Sequence, residues 1–183
     1  MNEIICNRIE ALRDVMRREG IDAFIFPSTD PHNGEYVPAH WEGRKWISGF
    51  NGSAGTAVVT MTDAALWTDS RYFIAAEEQL RGTGFRLMKE RVEGTPSITR
   101  WLGMKLATVQ SPTVGVDGTV NSASSVASLI TELRAEGGIT VRTNFDPLAL
   151  IWTDRPPVPQ DKVSIHPLES VSYTHLRAHE TGA

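Results

Sequence analysis

The sequence alternates short apolar runs with segments of helical period, and this alternation restricts the fold more than any other feature. Ile5, Ile9, Leu12, Val15 and Met16 recur at helical spacing with charges between them, and Gly20 stands where a left-handed C-terminal cap would fall. Ala23-Phe24-Ile25-Phe26 follows, a continuous apolar run stopped by Pro27, which is the pattern of a buried strand. Gly55 to Thr60 and Ala64 to Thr68 predict two strands joined through Met61-Thr62-Asp63 as a hairpin. Asp69-Ser70 offers an N-cap to a helix over Tyr72 to Leu80, with Gly82 closing it. Phe85 to Met88 predicts a further strand, Thr95-Pro96 opens a helix through Leu102 and Leu106, and Val114 to Val116 is strand again. Ser122 to Ala135 predicts a helix ended by Gly137-Gly138, and Ile139 to Val141 a last strand.

Helices between strands supply the crossovers that parallel neighbours require, and the hairpin adds an antiparallel pair. The expected fold is therefore α/β, a mixed β-sheet flanked by helices. A chain of 183 residues suits one packed domain with some length left over, and 40% hydrophobic with 22% charged residues is too apolar for disorder. The net charge of -4 leaves no basic footprint for nucleic acid. No apolar run approaches the roughly 20 residues of a membrane helix, and the N-terminus carries no basic-then-apolar signal segment. Cys6, the single cysteine, cannot form an internal disulfide. The expectation is a cytoplasmic protein with neither membrane nor nucleic-acid partner.

Ile47-Ser48-Gly49-Phe50-Asn51-Gly52-Ser53-Ala54-Gly55-Thr56 sets three glycines three apart, just ahead of a strand. A dinucleotide loop needs G-x-G-x-x-G between a strand and a helix, and a P-loop needs a lysine before its Ser or Thr. Neither is present, and Gly52 to Gly55 falls one residue short of a hydrolase nucleophile elbow. The glycines read better as a bend or a close approach of backbones. His175 and His179, four apart, could face one metal on a helix, but Leu176 stands where a zincin has glutamate. Five tryptophans in one domain's length read as core and interface anchors.

From Pro27 to Arg44 the chain is polar and turn-rich, yet it holds Asp30, His32, Glu35, Tyr36 and His40. Asp30, His32 and Glu35 have the donor types of metal ligands, but Asp30 before Pro31 is as readily a turn cap. Arg44 and Lys45 read either as a solvated face or as charge offered to a carboxylate. Asp154-Arg155-Pro156-Pro157-Val158-Pro159 breaks any regular element and marks a linker.

Six blocks in the same order carry a family resemblance: Ser28 to Tyr36, Arg44 to Ala57, Leu66 to Phe73, Leu87 to Lys89, Val114 to Asp117 and Ile151 to Pro156. Together they resemble the N-terminal domain of the long, three-domain Xaa-Pro aminopeptidases, of the aminopeptidase P, prolidase and creatinase superfamily. The resemblance implies a domain of the creatinase/prolidase N-terminal type, with a ribonuclease H-like motif, over residues 1–157. Residues 158–171 would be a linker and the start of a second domain cut short, and 172–183 resemble read-through of foreign DNA.

In such relatives catalysis belongs to a C-terminal domain, where carboxylates and a histidine hold two divalent metal ions, typically manganese, and activate a water. The resemblance thus implies no catalytic residue and no metal in this chain. Its implied partners are the absent catalytic domain, a second copy in a homodimer, and a peptide with proline in second position. Asp30, His32, Glu35, Tyr36, Arg44 and Arg71 are the residues expected to face the substrate cleft. Ser70 stands where glycine is commoner in such relatives, which leaves the direction of Arg71 open. Two other readings are a free-standing scaffold or binding module of the same fold, and a small hydrolase using His32 and Glu35.

Overall fold

The computed structural model describes residues 2–162, 164 and 165. His175 and His179 lie outside the described residues, as does the segment 172–183.

The N-terminal helix α1, Glu3–Glu19, starts where Asn2 accepts the amide of Ile5 and stops at Gly20, which takes the left-handed conformation at φ 66°. Its apolar stripe of Ile5, Ile9, Leu12, Val15 and Met16 is buried, as the spacing predicts. Six strands follow: β1, Ala23–Phe26; β2, Thr56–Thr60; β3, Ala64–Thr68; β4, Phe85–Lys89; β5, Thr113–Val116; and β6, Thr140–Arg142. They form one sheet in the order β4-β3-β2-β1-β5-β6. β2 runs antiparallel to both β1 and β3, and the other pairs are parallel. The sheet is therefore mixed, because a three-residue turn can only reverse the chain whereas helices return it in the same direction.

Those crossovers are α3, Phe73–Gln79; α4, Ile98–Lys105; and α5, Ala123–Gly137. Alternate side chains of each strand feed two cores. Phe24, Phe26, Ala57, Val59 and Leu66 pack with α1 on one face. Ala23, Ile25, Val58, Ala65 and Trp67 pack with Trp101, Leu102 and Leu133 of α4 and α5 on the other. Trp67, Trp101 and Trp152 are buried, and Trp41 and Trp46 are partly covered.

Two short helices, α2 at Gly43–Ser48 and α6 at Leu148–Ile151, and a 3-10 turn at Ala39–Trp41 have no counterpart in the sequence expectation. α2 opens on a glycine and is only six residues long, so no period could develop. Two helix starts also move. α4 begins at Ile98 because the Ser97 hydroxyl accepts the Arg100 amide at 3.1 Å, while the carbonyl of Pro96 is taken by the Trp67 indole at 2.9 Å. Asp69 caps a 3-10 turn, Ser70–Tyr72, and the α-helix proper begins at Phe73.

Candidate functional site

Strands β1, β3, β4, β5 and β6 share a direction, so their C-terminal ends lie along one rim of the sheet, together with the start of β2. The glycine series enters β2 at this rim. Gly49 caps α2 in the left-handed region at φ 77°. At Gly52 a Cβ would overlap the Phe50 ring and lie 2.8 Å from Tyr72, and at Gly55, with φ 154°, it would lie 2.7 Å from the Trp67 carbonyl oxygen. The series is thus a backbone packed tightly against its neighbours.

Side chains then tie this loop down. Ser28 donates to the carbonyl of Gly55 at 2.5 Å and Thr68 to that of Ala54 at 2.7 Å. Gln79 and Asn51 exchange two hydrogen bonds of 3.0 and 2.8 Å, which fastens the loop to α3. Of the two expectations for Arg44, a solvated face or charge offered to a carboxylate, the first does not hold, because the side chain is 7% exposed. Its Nη1 donates to the carbonyl of Phe50 at 3.2 Å and its Nη2 to that of Gly52 at 2.5 Å. Burial pushes its pKa down to about 10, against a smaller opposing effect of Glu42. Lys45 is the exposed member of the pair and meets Glu42 at 2.8 Å.

A cavity of about 200 Å³ opens beside this loop, and Glu35, Tyr36 and Arg44 line it together with Ser28, Lys45 and Ser53. Three of the six expected site residues therefore meet in one place. Asp30 stands behind them with its carboxylate turned to its own loop. Its Oδ1 accepts the amides of His32 at 2.8 Å and Gly34 at 3.1 Å, which is the turn-capping role. His32 is exposed. Arg71 lies farther along the rim, paired with Asp69 through Nε at 3.0 Å and Nη2 at 2.7 Å. That pairing, chiefly the hydrogen bond from Arg71, holds the Asp69 carboxyl below its ordinary range.

Arg71 is joined to the cavity by its neighbour: the Tyr72 and Ser53 hydroxyls are 2.6 Å apart. Ser53 and Tyr72 are site residues that sequence reasoning passed over, although Ser53 sits inside the glycine series that drew attention. Ser70 is not among the positive-φ residues, so the turn before Arg71 forms without glycine geometry. Among the described residues no three His, Cys, Asp or Glu side chains are grouped to hold a metal ion. Asp30, the best-placed carboxylate, has two amides on one oxygen, so the donor set here does not fit a metal pair. A larger, open crevice of about 740 Å³ lies on the α4 and α5 side, with Trp67, Leu129 and Glu132 in its walls. No helix among the described residues is long and apolar enough to cross a membrane.

A six-stranded mixed sheet with helices on both faces and a pinned glycine loop at its rim defines a class of domain, and comparison with known proteins identifies it. The chain belongs to the Creatinase/Prolidase N-terminal domain family, whose model matches residues 8–143. It is 38% identical over 163 residues to a probable Xaa-Pro aminopeptidase P of Paracoccidioides brasiliensis, covering 88% of this chain and 26% of that protein. It thus spans about a quarter of the length of the curated relatives it matches. An X-prolyl aminopeptidase from Caenorhabditis elegans, described as a cytosolic enzyme with a di-nuclear active site, superposes with a TM-score of 0.81 at 27% identity, covering 97% of this chain and 31% of that one. The N-terminal domain of the cytoplasmic peptidase PepQ from Mycobacterium tuberculosis shares the fold, with a TM-score of 0.58 at 21% identity over 79% of this chain and 98% of that one.

Proposed function

We propose that residues 1–157 are the non-catalytic N-terminal domain of a Xaa-Pro aminopeptidase, the enzyme that removes an N-terminal residue preceding proline. The domain helps to form the substrate entrance and the contact between two copies of the enzyme. Two divalent metal ions, typically manganese, belong to a C-terminal catalytic domain of the same protein, outside these residues. The segment 158–171 leads toward that part of the protein, and the working place is the cytoplasm, as described for the nematode relative.

One observation carries the reading. The expected cleft residues Glu35, Tyr36 and Arg44 converge on a single cavity at the strand rim, and the Ser53–Tyr72 contact couples that cavity to Arg71. Arg71 is exposed, its donors are only partly used by Asp69, and a guanidinium suits the backbone carbonyls or carboxylate of a peptide. Its role is to orient peptide at the mouth, with no bond broken by this domain.

The test fuses residues 1–171 to the catalytic part of a Xaa-Pro aminopeptidase and measures hydrolysis of a peptide with proline second. Arg71→Ala is expected to raise KM by roughly tenfold, the loss of one charge-assisted contact, with kcat little changed. Unaltered KM and kcat in both Arg71→Ala and Tyr36→Ala would remove this rim from the entrance.

A further inference from the structure

Arg44 is a buried cation without a carboxylate partner. No Asp or Glu oxygen lies within 4.0 Å of it among the described residues, where Arg13, Arg71, Arg142 and Arg155 each have one. A guanidinium has five N–H donors. Arg44 spends two on the carbonyls of Phe50 and Gly52, and its buried Nε has no partner among the described residues. Neutral carbonyls satisfy hydrogen-bonding directions but do not cancel the charge. Burying an uncompensated charge is costly, and a bound anion relieves that cost.

Arg44 lines two hollows among the described residues: one of about 30 Å³, no larger than a water, and the cavity of about 200 Å³, which has room for an anion. Its volume of about 200 Å³ exceeds what a carboxylate with its first attached carbons fills, and Arg44 forms part of its wall. Asn51 adds a side-chain amide donor at the same space, the Ser28 and Ser53 hydroxyls being engaged by the Gly55 carbonyl and the Tyr72 hydroxyl, and Tyr36, 85% exposed, stands at its mouth as an apolar platform. Two carboxylates, Glu35 and Glu42, also line it, but Glu42 is already paired with Lys45 at 2.8 Å. A small free anion gains little here against Glu35. A carboxylate carried on a peptide gains the Tyr36 platform and the Asn51 amide as well.

We propose that the cavity beside Arg44 is a carboxylate subsite, taking the C-terminal carboxylate or an acidic side chain of a short peptide. The identity of the ligand as a peptide rests on the reading of this rim as a substrate entrance. The need for an anion rests on Arg44 alone. Such a subsite makes the domain a selector among peptides, favouring those that present negative charge at a fixed distance from the bond that is cut.

The Arg44 Nε–H resonance in a nitrogen–proton correlation spectrum of the 183-residue chain reports directly, assigned by its loss in Arg44→Lys. Three short peptides serve as probes: one neutral with a free C-terminus, the same peptide amidated, and an amidated peptide carrying one aspartate. At least one carboxylate-bearing peptide is expected to shift the resonance saturably while the amidated neutral peptide does not, and which of the two does so names the source. Lys45→Ala, at an exposed position, provides a second variant if Arg44→Lys does not fold. Loss of that cation is expected to weaken binding about threefold, and Arg44→Lys roughly tenfold. No shift with any peptide, or equal shifts with the amidated neutral one, overturns the subsite. Failure of the entrance reading shows separately, as unchanged KM and kcat in both Arg71→Ala and Tyr36→Ala.

Discussion

The hydroxyls of Ser53 and Tyr72 lie 2.6 Å apart, joining the glycine series to the turn that carries Arg71. The Ser53 contact lowers the Tyr72 phenol below its ordinary pKa, because a hydroxyl that donates to the phenolate favours the charged form. Ser53→Ala is expected to raise the Tyr72 pKa back toward the ordinary tyrosine value. Carbon NMR of labelled tyrosine through an alkaline titration checks this, and an unchanged midpoint would mean the two hydroxyls do not meet in solution.

Gly55→Ala tests the loop as a close approach of backbones. The added Cβ meets the Trp67 carbonyl oxygen at 2.7 Å, a backbone atom held in β3 with little room to yield. A loss of roughly 1–3 kcal/mol is expected in urea unfolding. Gly20→Ala is the comparison, with positive φ but no atom within 4 Å of the new Cβ, so that its loss sets the scale of a left-handed alanine without a clash. Equal losses would reject the packing explanation.

How much of this was legible in the sequence depends on range. Period alone locates all six strands to within a residue or so and the stripe of α1, since those patterns are local and repeated. α2 escapes because six residues opening on glycine carry no period, and it is α2 that delivers Arg44 to the core. Whether Arg44 is solvated or buried turns on Phe50 and Gly52 folding back over it, a contact that composition does not encode. Asp30 was readable as a turn cap from the proline after it, whereas the partners of Ser53 and Ser28 lie nineteen and twenty-seven residues away.

The Asp63 carboxyl is held below its ordinary range mainly by the hydrogen bond from Lys105, at 2.7 Å. A depressed carboxyl pKa contributes stability that is present above the unfolded value and is lost as pH falls through the folded one. Lys105→Met is therefore expected to unfold more easily than the parent near neutral pH, with the difference vanishing in acid. Denaturant midpoints measured across pH decide it, and a deficit that persists at low pH would assign the loss to packing against Trp101 instead.

Arg155 fastens the start of the linker. It pairs with Asp146 at 2.5 Å and donates to the His40 carbonyl at 2.8 Å, while the His40 Nδ1–H donates to the carbonyl of Pro156 at 2.6 Å. Arg155→Ala is expected to cost about 1–3 kcal/mol and to leave its partly buried partners open to water. Hydrogen exchange at Asp154 and Arg155 should quicken by more than in α1. Unchanged exchange there would mean that the prolines alone hold the linker in place.

The most direct trial of the non-catalytic reading is an activity measurement on the purified 183-residue chain, with a proline-second peptide and manganese present. The expected result is no release of the N-terminal residue above a metal-free blank, because the Asp30, His32 and Glu35 set does not gather as ligands. Turnover that needs manganese and is abolished by His32→Ala would contradict it, and would make this domain a hydrolase in its own right.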